Sequence, residues 1–252
     1  MNFTNKTAII TGAAKGIGAA CAKVFYEAGA NVALLDVAKD TSNINDKKWL
    51  FLNCDVSVEA EVRDAFEKIN QHFASVDFLV NNAGIQRYGT VTETSTEEWD
   101  LVMSVNLKSY FLCAKYALPA IQKNNKGVVV NVASVQAFVS QQKVAAYTTA
   151  KTAILGLTRS IAVDYAPNIR CVAVCPGTID TPMLRDSFAL SPNPDEVLQE
   201  CIDMHLTKRI GKPEEIAELV LYLCDDKASF ITGQAIRIDG GLGITIQGSK
   251  RD

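Results

Sequence analysis

Thr7–Gly18 reads T-A-I-I-T-G-A-A-K-G-I-G, and the interpretation of this stretch decides the fold. An apolar run suited to a strand, Thr7–Ile10, meets a glycine-rich turn, and from Gly16 to Ala28 the apolar residues recur at helical spacing. Strand, tight turn and helix make the opening of a βαβ unit. Gly12 suits the tight turn, Gly16 lets backbone approach a pyrophosphate, and Gly18 permits close packing of helix on sheet. The helix N-terminus supplies N–H donors and partial positive charge to the same place, so Lys15 and Ile17 within the turn join the candidate site.

Outward from this turn the same rhythm repeats. Strands are expected at Asn31–Asp36, Trp49–Cys54, Asp77–Asn81, Gly127–Ala133, Arg170–Cys175 and Gln234–Asp239. Helices are expected at Val58–Phe73, Asn106–Gln122, Ala146–Tyr165 and Pro213–Leu223, the last opened by a first-turn proline followed by Glu214 and Glu215. Alternating strands and helices predict an α/β fold with a doubly wound, mostly parallel seven-stranded sheet and helices on both faces. At 252 residues the chain suits a single domain, 1–252. Residues 182–212 break the rhythm with S-P-N-P, Gly211 and a short helical piece around Glu196–Met204, which predicts a lid over the substrate site.

Asp36 ends the second expected strand, 18 residues beyond Gly18. A carboxylate there accepts hydrogen bonds from the ribose hydroxyls of a dinucleotide and repels a 2′-phosphate. It therefore favours NAD over NADP, with Lys15 as a partial offset.

Composition removes several function classes. A formal net charge of -3 gives no electrostatic reason to bind nucleic acid or an anionic membrane. Seven scattered cysteines are odd in number and sit mostly in apolar segments, as reduced core residues do. Cys171 and Cys175 would lie on one strand face about 13 Å apart, too far to share a metal ion. His72 and His205 are the only histidines and neither has ligand spacing to a cysteine, so no metal site is expected. M-N-F-T-N-K-T-A-I-I lacks the pattern of a signal peptide, and no apolar run has membrane-spanning length, which makes the cytoplasm the expected compartment.

The reacting groups come from the second half. Tyr147 and Lys151 are four apart in A-A-Y-T-T-A-K and share a helix face, and Ser134 follows the strand that ends at Ala133. A phenol of ordinary acidity, near a pKa of about 10, exchanges protons poorly at neutral pH. A nearby ammonium and an oxidised nicotinamide both favour its ionised form. Tyr147 can then take a hydroxyl proton while Ser134 hydrogen-bonds the substrate oxygen.

The ordered set T-G-A-A-K-G-I-G at Thr11, C-D-V at Cys54, N-N-A-G at Asn81, V-N-L around Asn106, Ser134, Tyr147 with Lys151, P-G-T-I-D-T at Pro176 and D-G-G at Asp239 resembles the short-chain dehydrogenases/reductases. The resemblance spans Lys6 to Gly241. It implies an oxidoreductase acting on a CH–OH group, with catalytic roles for Ser134, Tyr147 and Lys151 and a water-positioning role for Asn106. It also assigns Asp55 and Val56 to the adenine and Asn82, Ala83 and Gly84 to the adenosine ribose region. Pro176, Gly177, Thr178, Ile179 and Thr181 go to the nicotinamide, whose ribose Lys151 would also hold. A homotetramer is implied as well, in which the tail G-I-T-I-Q-G-S-K-R-D could take part.

Substrate choice rests on loops. Gln86, Gln136, Gln141, Gln142 and Lys143 flank Ser134 and Tyr147 and are polar, which suits a polyhydroxylated ligand. S-V-Q-A at Ser134, I-A-V-D-Y-A-P at Ile161 and R-I-G-K-P at Arg209 are similar to the aldohexose dehydrogenases. The first reading is therefore oxidation of an aldose at its anomeric carbon, with Gln86 and Gln136 as substrate partners. The alternatives are a reductase of 3-oxoacyl thioesters or another ketone, and a dinucleotide sensor without turnover.

Overall fold

The computed structural model describes residues 1–39, 42 and 44–244. The expected tail lies mostly outside these residues. The strands are β1 (Thr7–Thr11), β2 (Asn31–Asp36), β3 (Trp49–Asn53), β4 (Phe78–Asn81), β5 (Gly127–Val132), β6 (Ile169–Pro176) and β7 (Ala235–Ile238). They form one seven-stranded sheet in the order β3-β2-β1-β4-β5-β6-β7. Every neighbouring pair is parallel.

Period-two alternation divides each strand between two cores. Ile10, Leu34, Val80 and Val130 face one side, where they pack with Cys21 and Phe25 of α1 (Gly16–Glu27) and Ile216 and Val220 of α8 (Pro213–Cys224). Ile9, Leu35, Leu79 and Val129 face the other. There they meet Phe66 and Ile69 of α2 (Glu59–His72), Leu112 and Ile121 of α4 (Ser109–Lys123) and Ile161 of α5 (Ala145–Asp164). Helices on both faces bury the sheet twice, which is why its strands are apolar on both sides.

Two elements differ from the sequence expectation. The helix expected from Asn106 begins earlier, as α3 (Thr96–Met103), and runs into α4 through a π-helical turn at Ser104–Lys108. Ser95 caps α3 by accepting the Glu98 N–H, but Val102 is its one buried residue, so no apolar stripe marks it. Residues 182–212 hold two helices, α6 (Pro182–Phe188) and α7 (Pro194–Met204), where one short piece was expected. Neither buries a side chain.

The order of winding reverses between β1 and β4, so the chain leaving β1 goes to one side and the chain leaving β4 to the other. A crevice opens at that switch point, at the carboxyl ends of the strands. The segments after β1, β4, β5 and β6 all emerge there.

Candidate active site

At the end of β1, Gly12 turns the chain at φ +62°, a conformation open to glycine. A Cβ on Gly12 would stand 2.8 Å from the Ala83 Cα, and one on Gly18 would fall on the Gly12 carbonyl. Loop, first helical turn and β4 exit are thus in backbone contact, with Gly18 pressed on the loop itself. Asn82 braces this arrangement: its N–H donates to Thr11 Oγ1 at 2.9 Å, and its Nδ2 donates to the Thr11 and Gly12 carbonyls at 3.0 and 3.1 Å. The Ala83 N–H donates to the same Thr11 hydroxyl at 3.0 Å. On the far side of the loop, a Cβ on Gly16 would lie 3.3 Å from Thr181, so Gly16 and the segment after β6 face each other.

Asp36 is half-buried beside this loop. One carboxylate oxygen accepts the Ala14 N–H at 2.9 Å and the other the Ala38 N–H at 2.8 Å, which leaves lone pairs on both. Asp55 accepts the N–H and hydroxyl of Ser57 at 2.9 and 2.7 Å, while Val56 is buried behind it. The glycine-lined cradle, the helix N-terminus and the pinned carboxylate fit a dinucleotide on geometry alone.

The second cluster sits where β5 ends. Ser134 is buried and caps a short 3-10 turn, its Oγ accepting the Gln136 N–H at 3.1 Å. Tyr147, in the first turn of α5, hydrogen-bonds with Ser134. Burial pushes its phenol up to about 12, against the lowering effect of that hydrogen bond. Removing water from the phenol acts against the ionised form, and the charge of an oxidised nicotinamide would act the other way.

Lys151, one turn along α5, is 3% exposed. Its Nζ donates to the Val132 carbonyl at 2.9 Å and to Tyr110 Oη at 3.3 Å, and lies 5.6 Å from the Tyr147 ring centroid. Burial lowers its ammonium to about 8, since no carboxylate balances it. Asn106 is fully buried in the π turn and clasps one peptide group, accepting the Ile85 N–H at 2.7 Å and donating to the Ile85 carbonyl at 2.8 Å. Gly84 separates it from Lys151, for a Cβ there would stand 3.2 Å from Asn106 Oδ1 and 3.7 Å from Lys151 Nζ.

Around this centre the amides differ. Gln136 is half-buried, its Nε2 donating to Gln141 Oε1 at 3.4 Å and its Oε1 accepting from Thr148 at 3.4 Å. Gln86 is also half-buried, in the loop that joins the Lys143 carbonyl through the Gly89 N–H at 2.7 Å. Gln142 and Lys143 are exposed. Pro176 ends β6, and the following residues cross to the insertion: Ile179 bridges to Gly211, and Thr181 caps α6 by accepting the Leu184 N–H.

Two residues of this region escape a sequence reading. Tyr110 stands four after Asn106 on continuous helix, and that spacing is the one signal that could have found it. His205 gives none, because the partner that ties it to the site, Thr178, lies 27 residues away. Among the described residues no group of three His, Cys, Asp or Glu side chains is placed to hold a metal, and no helix is long and apolar enough to cross a membrane.

A doubly wound sheet with this loop, a buried Ser and Lys, and a half-buried Tyr between them in the site defines the class of nicotinamide-linked oxidoreductases. A family model described as enoyl-(acyl carrier protein) reductase matches residues 12–243. An uncharacterized oxidoreductase of Thermotoga maritima is 43% identical, over 96% of this chain and 98% of its own. The 3-oxoacyl-[acyl-carrier-protein] reductase of the same organism is 35% identical, over 96% and 99%. The ligand-free aldohexose dehydrogenase of Thermoplasma acidophilum superposes with a TM-score of 0.94 at 38% identity, over 99% of this chain and 98% of that one. The chain belongs to the short-chain dehydrogenase/reductase family, whose members use nicotinamide cofactors and act on CH–OH groups of small molecules.

Proposed function

We propose that this enzyme is an NAD-dependent dehydrogenase that oxidises an aldose at the anomeric carbon to a lactone. The observation that carries the substrate class is the half-buried amide of Gln136, held between Gln141 and Thr148 one turn from Ser134. Its likeness to the aldohexose dehydrogenase fold and sequence supports the same reading. Gly12, Lys15, Gly16, Ile17 and Gly18 would hold the pyrophosphate; Asp36, Asp55, Val56 and Asn82–Gly84 the adenosine; and Pro176–Thr181 the nicotinamide. When bound, the nicotinamide supplies the hydride acceptor.

The remaining work falls to side chains. Ser134 donates to the substrate oxygen and fixes its distance from Tyr147. Tyr147 takes the hydroxyl proton as the carbon is oxidised and returns it in the reverse direction. Lys151, anchored by Val132 and Tyr110, keeps a positive charge beside the phenol and thereby favours its ionisation. Asn106 holds the Ile85 peptide, and with it the approach of Gln86. Residues 182–212 would serve as a lid over the substrate site, and four copies of the chain would assemble in the cytoplasm.

Asp36 carries the preference for NAD: its carboxylate has lone pairs to spare for the ribose hydroxyls, and no cation pairs with it among the described residues. A second reading, reduction of an oxoacyl thioester or hydrophobic ketone, is favoured by the 35% identity to the Thermotoga reductase and by exposed Phe138 and Val139 following Gln136. Gln136→Leu separates the two. It leaves a sugar hydroxyl without its partner, at about 1–3 kcal/mol, so kcat/KM for an aldose should fall about tenfold or more while that for a simple secondary alcohol holds within about threefold. Equal losses would remove Gln136 from substrate recognition.

A further inference from the structure

His205 is 2% exposed and follows the last turn of α7. Its Nδ1 lies 2.6 Å from the Cys201 carbonyl, which can only accept, so the proton sits on Nδ1. Its Nε2 is then an acceptor, and the Thr178 N–H donates to it at 3.2 Å. Thr178 belongs to the segment assigned above to the nicotinamide. The other side of the same residue is held from the same insertion, its carbonyl accepting the Gly211 N–H at 2.9 Å. Space is tight on both sides of the imidazole: a Cβ on Gly177 would stand 2.9 Å from Nε2, and one on Gly240 3.1 Å from the ring.

We propose that His205 is a positioning residue for the cofactor: it fastens the Gly177–Thr181 segment to α7 through the Thr178 amide. The argument rests on the reading that Pro176–Thr181 holds the nicotinamide. A neutral imidazole satisfies both backbone partners. A side chain without an acceptor in this place would leave the Thr178 N–H without that partner.

A cavity of about 130 Å³, lined by Thr178, His205, Arg209, Glu215, Asp239 and Gly240 among others, adjoins the ring. The charged groups facing it are otherwise committed. Glu215, at the start of α8, is held down to about 2 by its hydrogen bonds with Arg209, which pairs with it through two nitrogens at 2.7 and 2.6 Å. Asp239, after β7, accepts the Gly241 and Gly243 N–H groups, both at 3.0 Å. On the histidine's own side, burial raises the Cys201 thiol, and exposed Asp203 lies 3.8 Å from Lys208. None of these replaces the acceptor that His205 Nε2 offers to the Thr178 N–H.

The test uses the full chain and two readouts, NADH affinity by fluorescence titration and hydrogen exchange of residues 177–181 without cofactor. His205→Leu, which has no acceptor, should speed exchange of the Thr178 amide about tenfold or more and weaken NADH about fivefold or more. His205→Gln can offer an acceptor to Thr178, so both readouts should stay within about twofold of wild type. A Thr178 amide whose protection ignores both substitutions would overturn the fastening itself. Protection that is lost while NADH affinity stays constant would instead overturn the assignment of this segment to the cofactor, and with it the proposed role.

Discussion

Lys151 and Tyr110 converge on one acceptor, the Val132 carbonyl, to which the Lys151 Nζ donates at 2.9 Å and the Tyr110 hydroxyl at 2.8 Å. The ammonium is buried with hydrogen bonds to neutral groups alone, and its lowered value of about 8, against 10.5 for an ordinary lysine, measures the cost. The depression means that the unfolded chain binds the proton more tightly, so stability rises as pH climbs from about 8 to about 10.5 and the full penalty, about 3 kcal/mol, stands below about 8.

Lys151→Met should consequently stabilise the fold at pH 7 while removing most activity. Tyr110 still satisfies the Val132 carbonyl, so the substitution strands no buried acceptor there. A gain of about 1–3 kcal/mol would raise the melting midpoint by several degrees. Thermal melts at about pH 7 and pH 10 check it, and the gain should shrink at the higher pH. A variant less stable at pH 7 would show that the lysine's hydrogen bonds outweigh its desolvation.

The pH dependence of the two directions should oppose one another. Oxidation needs Tyr147 as a base, and with the phenol pushed up to about 12, kcat/KM should climb from about pH 7 and level off above about pH 8, where Lys151 loses the charge that favours the phenolate. Reduction uses the protonated phenol, which persists throughout that range, and instead weakens above about pH 8 as Lys151 loses its charge. Steady-state profiles in both directions provide the measurement; an oxidation profile that declines from neutrality upward contradicts these assignments.

How much of this was visible in the chain depends on whether a residue acts through its neighbours in sequence. The strand and helix of Thr7–Glu27, with Asp36 after them, could be placed because periodicity and glycine spacing are local. The Tyr147–Lys151 pair was legible for the same reason, being four apart on one helix. By contrast α6 buries nothing and α3 only Val102, so neither has the apolar stripe that marks a helix. Asn82 is half of a recognisable motif, yet its brace to Thr11 and Gly12 crosses about 70 residues. The high phenol value of Tyr147 was also out of reach, because spacing can bring an ammonium near but says nothing of how much water the fold removes.

Cofactor choice should turn on Asp36. Replacing it with alanine removes both the attraction for the ribose hydroxyls and the repulsion of a 2′-phosphate. The ratio of kcat/KM for NAD to that for NADP should fall by about tenfold or more in Asp36→Ala, read from initial rates with each cofactor. A ratio unchanged by the substitution would move the decision elsewhere in the adenosine region, with Lys15 next to test.

The central claim, that Tyr147 exchanges the proton while an aldose is oxidised at its anomeric carbon, is tested most directly by following NADH formation from a panel of aldoses, polyols and secondary alcohols, beside reduction of an oxoacyl thioester. The account predicts NAD-linked oxidation of at least one aldose at higher kcat/KM than any other class. It also predicts loss of about 100-fold or more of that turnover in Tyr147→Phe, with NADH binding within a few-fold of wild type. Efficient reduction of the thioester with no aldose oxidised, or a Tyr147→Phe enzyme that turns over the aldose as the wild type does, would contradict it.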